Sequence, residues 1–255
     1  DERTNQRVFI KKLIYDIEEI KNISQINIQY PLIEALDIII DGDLAYIIYP
    51  FIEGRSLKTI IHNRVKLSLE DKKNIIINSL KALEKLHEKG IIHGDIHPGN
   101  ILVNGDKIYF ADNGSIFLAG NKTPEKAFNL LYAAPEQILK QSDLWSFKTD
   151  WFNWGMSMYH FINKDHPFTH SNPNFTIQMM LNLGLEPLAK NYGELSNLIG
   201  QICLKPKFKT SPSRMSQSEI YQVLQANIEE RKNGIELINN FERLIFKKSI
   251  WNLFF

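Results

Sequence analysis

Cysteine is almost missing from this sequence: Cys203 is the only one. An internal disulfide is excluded, and the lone thiol fits a reducing, cytoplasmic compartment. Net charge is almost missing too. Lys and Arg number 30 against 29 Asp and Glu, which leaves +1. That balance makes no electrostatic case for nucleic acid or an anionic membrane surface. No apolar run approaches the roughly 20 residues of a membrane span. The greasiest stretches, 38–40 and 45–49, are strand-length. His and Cys never fall at tetrahedral zinc spacing. No internal repeat, no low-complexity tract and no G-x-G-x-x-G occurs. The first residue is Asp1 with no basic-then-apolar leader, so the chain reads as a piece of a longer polypeptide.

What is present is ordinary in amount and ordered in pattern. A chain of 255 residues with 44% hydrophobic and 23% charged residues can bury a core, as one large domain or two lobes around a cleft. Residues 3–23 carry Val8, Phe9, Leu13, Ile14, Ile17 and Ile20 at three- and four-residue spacing, which predicts a helix. Strand-like runs follow at 33–40 and 44–49, parted by the turn residues Asp41-Gly42-Asp43. A short helix is expected over 56–64. A longer one starts at the capping box Ser68-Leu69-Glu70-Asp71 and ends at Gly90. Residues 101–103 and 107–110 read as a hairpin around Asn104-Gly105. From Ala134 onward the pattern is mostly helical. The fold class is therefore α+β, a small mixed lobe feeding a larger helical one.

The chemistry concentrates in Ile92-His93-Gly94-Asp95-Ile96-His97-Pro98-Gly99-Asn100-Ile101-Leu102-Val103. A carboxylate and an amide stand five residues apart in a tight loop before the hairpin. Asp112-Asn113-Gly114 lies beyond it, Asp112 being twelve residues past Asn100. Phosphoryl transfer needs a group that orients an attacking hydroxyl and takes its proton. It also needs oxygen ligands for the magnesium that neutralises phosphate charge. Asp95 can be the first group; Asn100 and Asp112 can be the ligands.

The segment resembles the catalytic loop H-R-D-x-x-x-x-N and the D-F-G of the protein kinase superfamily. Tyr132-Ala133-Ala134-Pro135-Glu136 is similar to the A-P-E that closes the activation segment. The 150–155 stretch resembles the helix whose aspartate, here Asp150, braces the catalytic loop, and His166-Pro167-Phe168 resembles a recurrent loop after it. Phe51-Ile52-Glu53-Gly54-Arg55-Ser56-Leu57 resembles the hinge between lobes. The resemblance implies a bilobal fold: a truncated N-lobe over 1–52, a C-lobe over 53–225 and a helical extension over 226–255. It implies ATP and Mg2+ as cofactors and a protein substrate, with Asp95 and His97 at the chemistry and Asn100 and Asp112 on the metal. Tyr49 becomes the gatekeeper. Pro50 contributes a carbonyl and Ile52 an N–H to adenine, and Leu102 lies beneath its ring; proline lacks only the N–H. Arg214 is expected to pair with Glu136.

Several positions depart from the family. The glycine-rich loop and the lysine strand are expected to be missing, because a helix is expected where the chain begins. The helix acid that pairs that lysine is Asp16, Glu18 or Glu19. Gly94 replaces the arginine that meets an activation-segment phosphate, which implies activity independent of such phosphorylation. His97 replaces a lysine and is either a γ-phosphate contact or a spectator. Asn113 replaces a phenylalanine and needs a polar partner. These departures keep open a pseudokinase, a regulatory binding module. The H-G-D-x-H-P-G-N form keeps open a small-molecule kinase of the aminoglycoside or choline type.

Blander roles stand beside the sharp ones. Asp95, Asn100 and Asp112 could each be turn residues. His93 reads as structural, and Cys203 as core. The apolar tail from Lys232 reads as a helix packing back on the large lobe, or as a surface that docks another domain, a partner or a membrane.

Overall fold

In the computed structural model, residues 7–14, 20, 30–121, 128–188 and 193–232 are described. The small lobe is a three-stranded antiparallel sheet in the order β1-β3-β2, with β1 at Val8–Ile14, β2 at Asp37–Asp41 and β3 at Leu44–Pro50. Central β3 alternates strictly: Ala45, Ile47 and Tyr49 are buried while the residues between them are half-buried. Gly42, at φ +56, opens the two-residue turn from β2 to β3. A primed hairpin turn needs a positive φ there, which glycine adopts at little cost.

β1 overturns the expected helix over 3–23. Val8–Ile14 is an extended edge strand paired residue by residue with β3, Lys11 opposite Ile47. The apolar spacing was ambiguous because this edge leaves Phe9, Ile10 and Ile14 exposed. A run of Val, Phe and Ile suits a pleated edge, and pairing with a formed strand outweighs weak helical periodicity. The rest of that expected helix, apart from Ile20, lies outside the described residues, as do Asp16, Glu18 and Glu19. The strand expected over 33–40 begins only at Asp37; Ile33 instead donates its N–H to the Phe110 carbonyl at 3.3 Å.

The large lobe begins with β4 (Arg55–Ser56) and α1 (Leu57–His62), which Ser56 caps by accepting the Thr59 N–H. α2 spans Leu69–Glu88 behind a reciprocal Ser68/Asp71 capping box. β5 (Ile91–Ile92) later pairs with β8 (Phe117–Leu118). Between them, β6 (Ile101–Asn104) and β7 (Lys107–Phe110) form a hairpin whose turn is Gly105-Asp106, with Gly105 at φ +55. Asn104 itself sits on the strand.

The single turn α3 (Pro135–Ile138) leads to α4 (Phe147–Asn163), which is apolar nearly all round and correspondingly buried. Trp154 of α4 donates its indole N–H to Ser79 Oγ of α2 at 2.9 Å, so its burial leaves no polar atom stranded. Burying each such large side chain contributes about 1.5–3 kcal/mol. α5 (Pro173–Asn182), α6 (Gly193–Ile202) and α7 (Gln217–Glu230) complete the lobe. The expected boundary between 225 and 226 falls inside α7. The tail from 233 lies outside the described residues.

Gly155 and Cys203 explain each other. A Cβ at Gly155 would stand 2.6 Å from Cys203 Sγ, so α4 and α6 approach only because a glycine is there. Cys203 is core as expected, and burial pushes its thiol up to about 12.

Candidate active site

The Asp150 carboxylate organises the loop. Fully buried on α4, it accepts the backbone N–H groups of His93 and Gly94, each at 2.8 Å, and faces His87 Nε2 at 3.0 Å. Gly94 sits at φ +77, and a Cβ there would come within 3.0 Å of the Ser115 carbonyl. A side chain at 94 is strained by its own backbone. His93 is buried, with Nε2 at 3.1 Å from the Ala111 carbonyl, a structural role that ties the loop to the segment carrying Asp112.

Asp95 follows Gly94 in this braced loop, and its carboxylate is mostly buried. Asn129 donates its backbone N–H to Asp95 Oδ1 at 2.8 Å, and Asn100 Nδ2 donates to the Asp95 carbonyl at 3.0 Å. The Nδ2 end of Asn100 is thus engaged by the loop, and its oxygen is the end that can meet a cation.

Across the lobes runs a cleft of about 420 Å³. Asn100, Asp112, Pro50, Ile52 and Leu102 all line it, together with Tyr49 and Ile33. Five of the sequence-predicted residues therefore share one cavity. Gly54 lets the hinge lie against β6, because a Cβ there would stand 2.5 Å from the Val103 carbonyl. His97 lies outside this cleft, in a neighbouring pocket that shares only Gly99 with it. Its Nδ1 accepts the Gly99 N–H at 3.0 Å, and its Nε2 is 3.7 Å from Asp95 Oδ2. Burial holds the His97 imidazole below its usual range, although Asp95 pulls the other way.

Lys11 was not among the expected site residues. It sits on β1 and reaches into the cleft, its Nζ 2.5 Å from Asp112 Oδ1. The lysine strand expected to be missing is present, and Val8-Phe9-Ile10-Lys11 resembles the family's V-A-I-K strand. The signal was legible but was absorbed into the expected helix. Asp112 itself is held in a left-handed conformation at φ +63, its carboxylate accepting the Gly114 N–H. Burial would raise its pKa, but the hydrogen bond and charge of Lys11 outweigh that and hold it below the usual value.

The expected Arg214–Glu136 pair does not form. Arg214 is exposed. Arg231 takes its place, with Nη1 and Nη2 at 2.8 and 2.9 Å from the two Glu136 oxygens. Both side chains are buried, and Thr149 and Asn227 supply further hydrogen bonds. Arg231 follows Glu229-Glu230 at the end of α7, a charge run that reads as a solvated helix end. Asn113 has its partner: Nδ2 donates to the Ile33 carbonyl at 2.8 Å.

The sequence profile of the protein kinase domain matches residues 4–240. The chain belongs to the protein kinase family. A probable serine/threonine-protein kinase of Clostridium perfringens is 28% identical over 178 residues, 68% of this chain and 25% of that protein. The serine/threonine-protein kinase PknB of Mycobacterium tuberculosis is 26% identical over 181 residues, 68% of this chain and 28% of its own length. The match thus spans about a quarter of these curated relatives. Among solved structures, a chain of the yeast RNA Pol II CTD kinase CTDK-1 complex superposes with a TM-score of 0.64 at 18% identity, covering 93% of this chain and 85% of that one. That likeness shows the protein kinase fold.

ATP and magnesium are general to protein kinases, and the donors here suit them. Asn100 would offer an amide oxygen and Asp112 a carboxylate, a sparse oxygen set that suits magnesium when phosphates complete its shell. Among the described residues, no helix is long and apolar enough to cross a membrane.

Proposed function

We propose that this kinase domain transfers the γ-phosphoryl group of ATP to a serine or threonine hydroxyl of a protein. The reading rests on the one cleft that Lys11, Asn100 and Asp112 line together with Pro50, Ile52 and Leu102, with Asp95 fastened beside it through Asn100. The Pro50 carbonyl and Ile52 N–H meet adenine, and Leu102 packs beneath it. Lys11 places the phosphates. Asn100 and Asp112 would hold magnesium, which would supply neutralisation of the phosphate charge. Asp95 orients the acceptor and takes its proton. The acceptor oxygen bonds to the γ-phosphorus as the bond to the bridging oxygen breaks, and ADP leaves with that electron pair.

A protein acceptor is favoured over a small molecule by the buried Glu136–Arg231 clamp. It fixes the A-P-E segment, whose Gln137 donates to the Gly94 carbonyl in the loop that carries Asp95. The pseudokinase alternative loses its main support with Lys11 in the cleft.

The test is γ-phosphoryl transfer to protein by the full-length protein and its Asp95→Asn variant. Loss of a positioned base lowers kcat by about 10²–10⁴-fold. Undiminished transfer by the variant would overturn the reading.

A further inference from the structure

The second pocket, about 470 Å³, adjoins the nucleotide cleft at Gly99. Its floor contains His97 and Asn129, the two residues that face the Asp95 carboxylate. Its rim is basic. Lys58 comes from α1, Arg64 from the turn after α1, and Lys164 from the end of α4; Asp165 is the acidic residue of the lining. Arg64 lies 3.9 Å from Asp165, but both are largely exposed and solvent weakens that pair. Lys58 is held close, since its backbone N–H donates to the Pro98 carbonyl at 2.8 Å. On a chain of net charge +1, this is a local concentration of positive charge.

The backbone sets where two of these cations stand. Four non-glycine residues have positive φ among the described residues: Arg64, Asp112, Lys140 and Lys164. Asp112 belongs to the nucleotide cleft, and Arg64 and Lys164 belong to this rim. Both rim residues stand just past helix ends, where the αL position favours glycine. The chain places a cation there instead, as it also does with Lys140 after α3, and the turn fixes where each side chain leaves its helix.

We propose that this pocket receives the substrate segment beside the acceptor hydroxyl and selects acidic side chains in it. The inference rests on the phosphotransfer reading and specifies its substrate as an acidic peptide. A segment reaching Asp95 from this side carries its flanking residues past Lys58, Arg64 and Lys164. Carboxylates are attracted there and cations repelled.

The experiment uses the whole protein and three peptides, each with one central serine, flanked by Asp/Glu, by Ala or by Lys/Arg. Binding is read by fluorescence anisotropy, and transfer as kcat/KM. A few exposed ion pairs together give a preference of about 10-fold for the acidic over the Ala-flanked peptide. That preference shrinks as salt screens it. Lys58→Glu brings the acidic-to-neutral ratio to one or below. Arg64→Gly/Lys164→Gly removes two charges while relieving two left-handed backbones, so the ratio falls without loss of thermal stability. Equal binding of all three peptides, or an unchanged ratio in both variants, overturns the proposal. If no peptide is phosphorylated and Asp95→Asn matches wild type, phosphotransfer fails, and anisotropy alone still decides whether the pocket prefers acid.

Discussion

Lys11 and Asp112, a hundred and one residues apart in sequence, face each other at 2.5 Å across the cleft between the lobes. The lysine holds the aspartate ionised in a partly buried place. Lys11→Met therefore raises the Asp112 pKa, which carboxylate carbon NMR would follow. It also lowers phosphoryl transfer, on the order of 10²-fold or more, because phosphate charge loses a positioned cation. A variant that leaves both unchanged counts against the pairing.

The Glu136–Arg231 clamp predicts an asymmetry between two arginines. Arg231→Ala leaves a buried carboxylate uncompensated and destabilises by about 3–5 kcal/mol. Arg214→Ala, on an exposed turn, changes stability by less than about 0.5 kcal/mol. Urea unfolding of the two variants separates them.

Asp150 is predicted to tolerate not even its isostere. Both of its oxygens accept loop N–H groups. Asp150→Asn turns one acceptor into a donor facing a donor, which costs about 1–3 kcal/mol and loosens the loop behind Asp95. The expected result is a fall in both melting temperature and kcat; a fall in neither would refute the brace.

His166 should stay neutral far into acid. Its Nε2 donates to the Leu131 carbonyl at 2.8 Å and its Nδ1 accepts the Phe168 N–H at 3.1 Å, so a second proton has no site. Burial drives its pKa from 6.5 down to about 4. Between those values the unfolded chain binds the extra proton. Stability from this group is therefore present above pH 6.5 and lost as pH falls toward 4. Imidazole NMR showing titration near the ordinary histidine value would contradict this.

Lys205 runs on a different window. Buried over the rings of Phe152 and Phe168, it donates to the Met180 carbonyl at 2.6 Å, and burial lowers its pKa from 10.5 to about 7. Between pH 7 and 10.5 the unfolded chain again holds the extra proton, so stability rises with pH. The slope is about 1.4 kcal/mol per pH unit at most. Lys205→Met abolishes that slope in denaturation curves measured across this range.

Local rules made much of the fold readable. The capping box at Ser68, the glycines of the two hairpins and the loop from His93 to Asn100 are short-range signals, and each appears where it was expected. In the N-terminal strand three of the five apolar residues, Phe9, Ile10 and Ile14, face solvent, so neither helical nor strand periodicity is clean. Arg231 was missed because a cation after two glutamates looks solvated until a distant glutamate is folded against it.

The chain's own order of residues determined the family pattern, the braced loop and the identities of Asp95, Asn100 and Asp112, since those depend on spacing within short segments. Tertiary structure alone decided which lysine meets Asp112, which arginine meets Glu136 and where the basic rim gathers. Those relationships join segments far apart in sequence. Charge and shape complementarity act only once burial has brought the segments within a few ångströms.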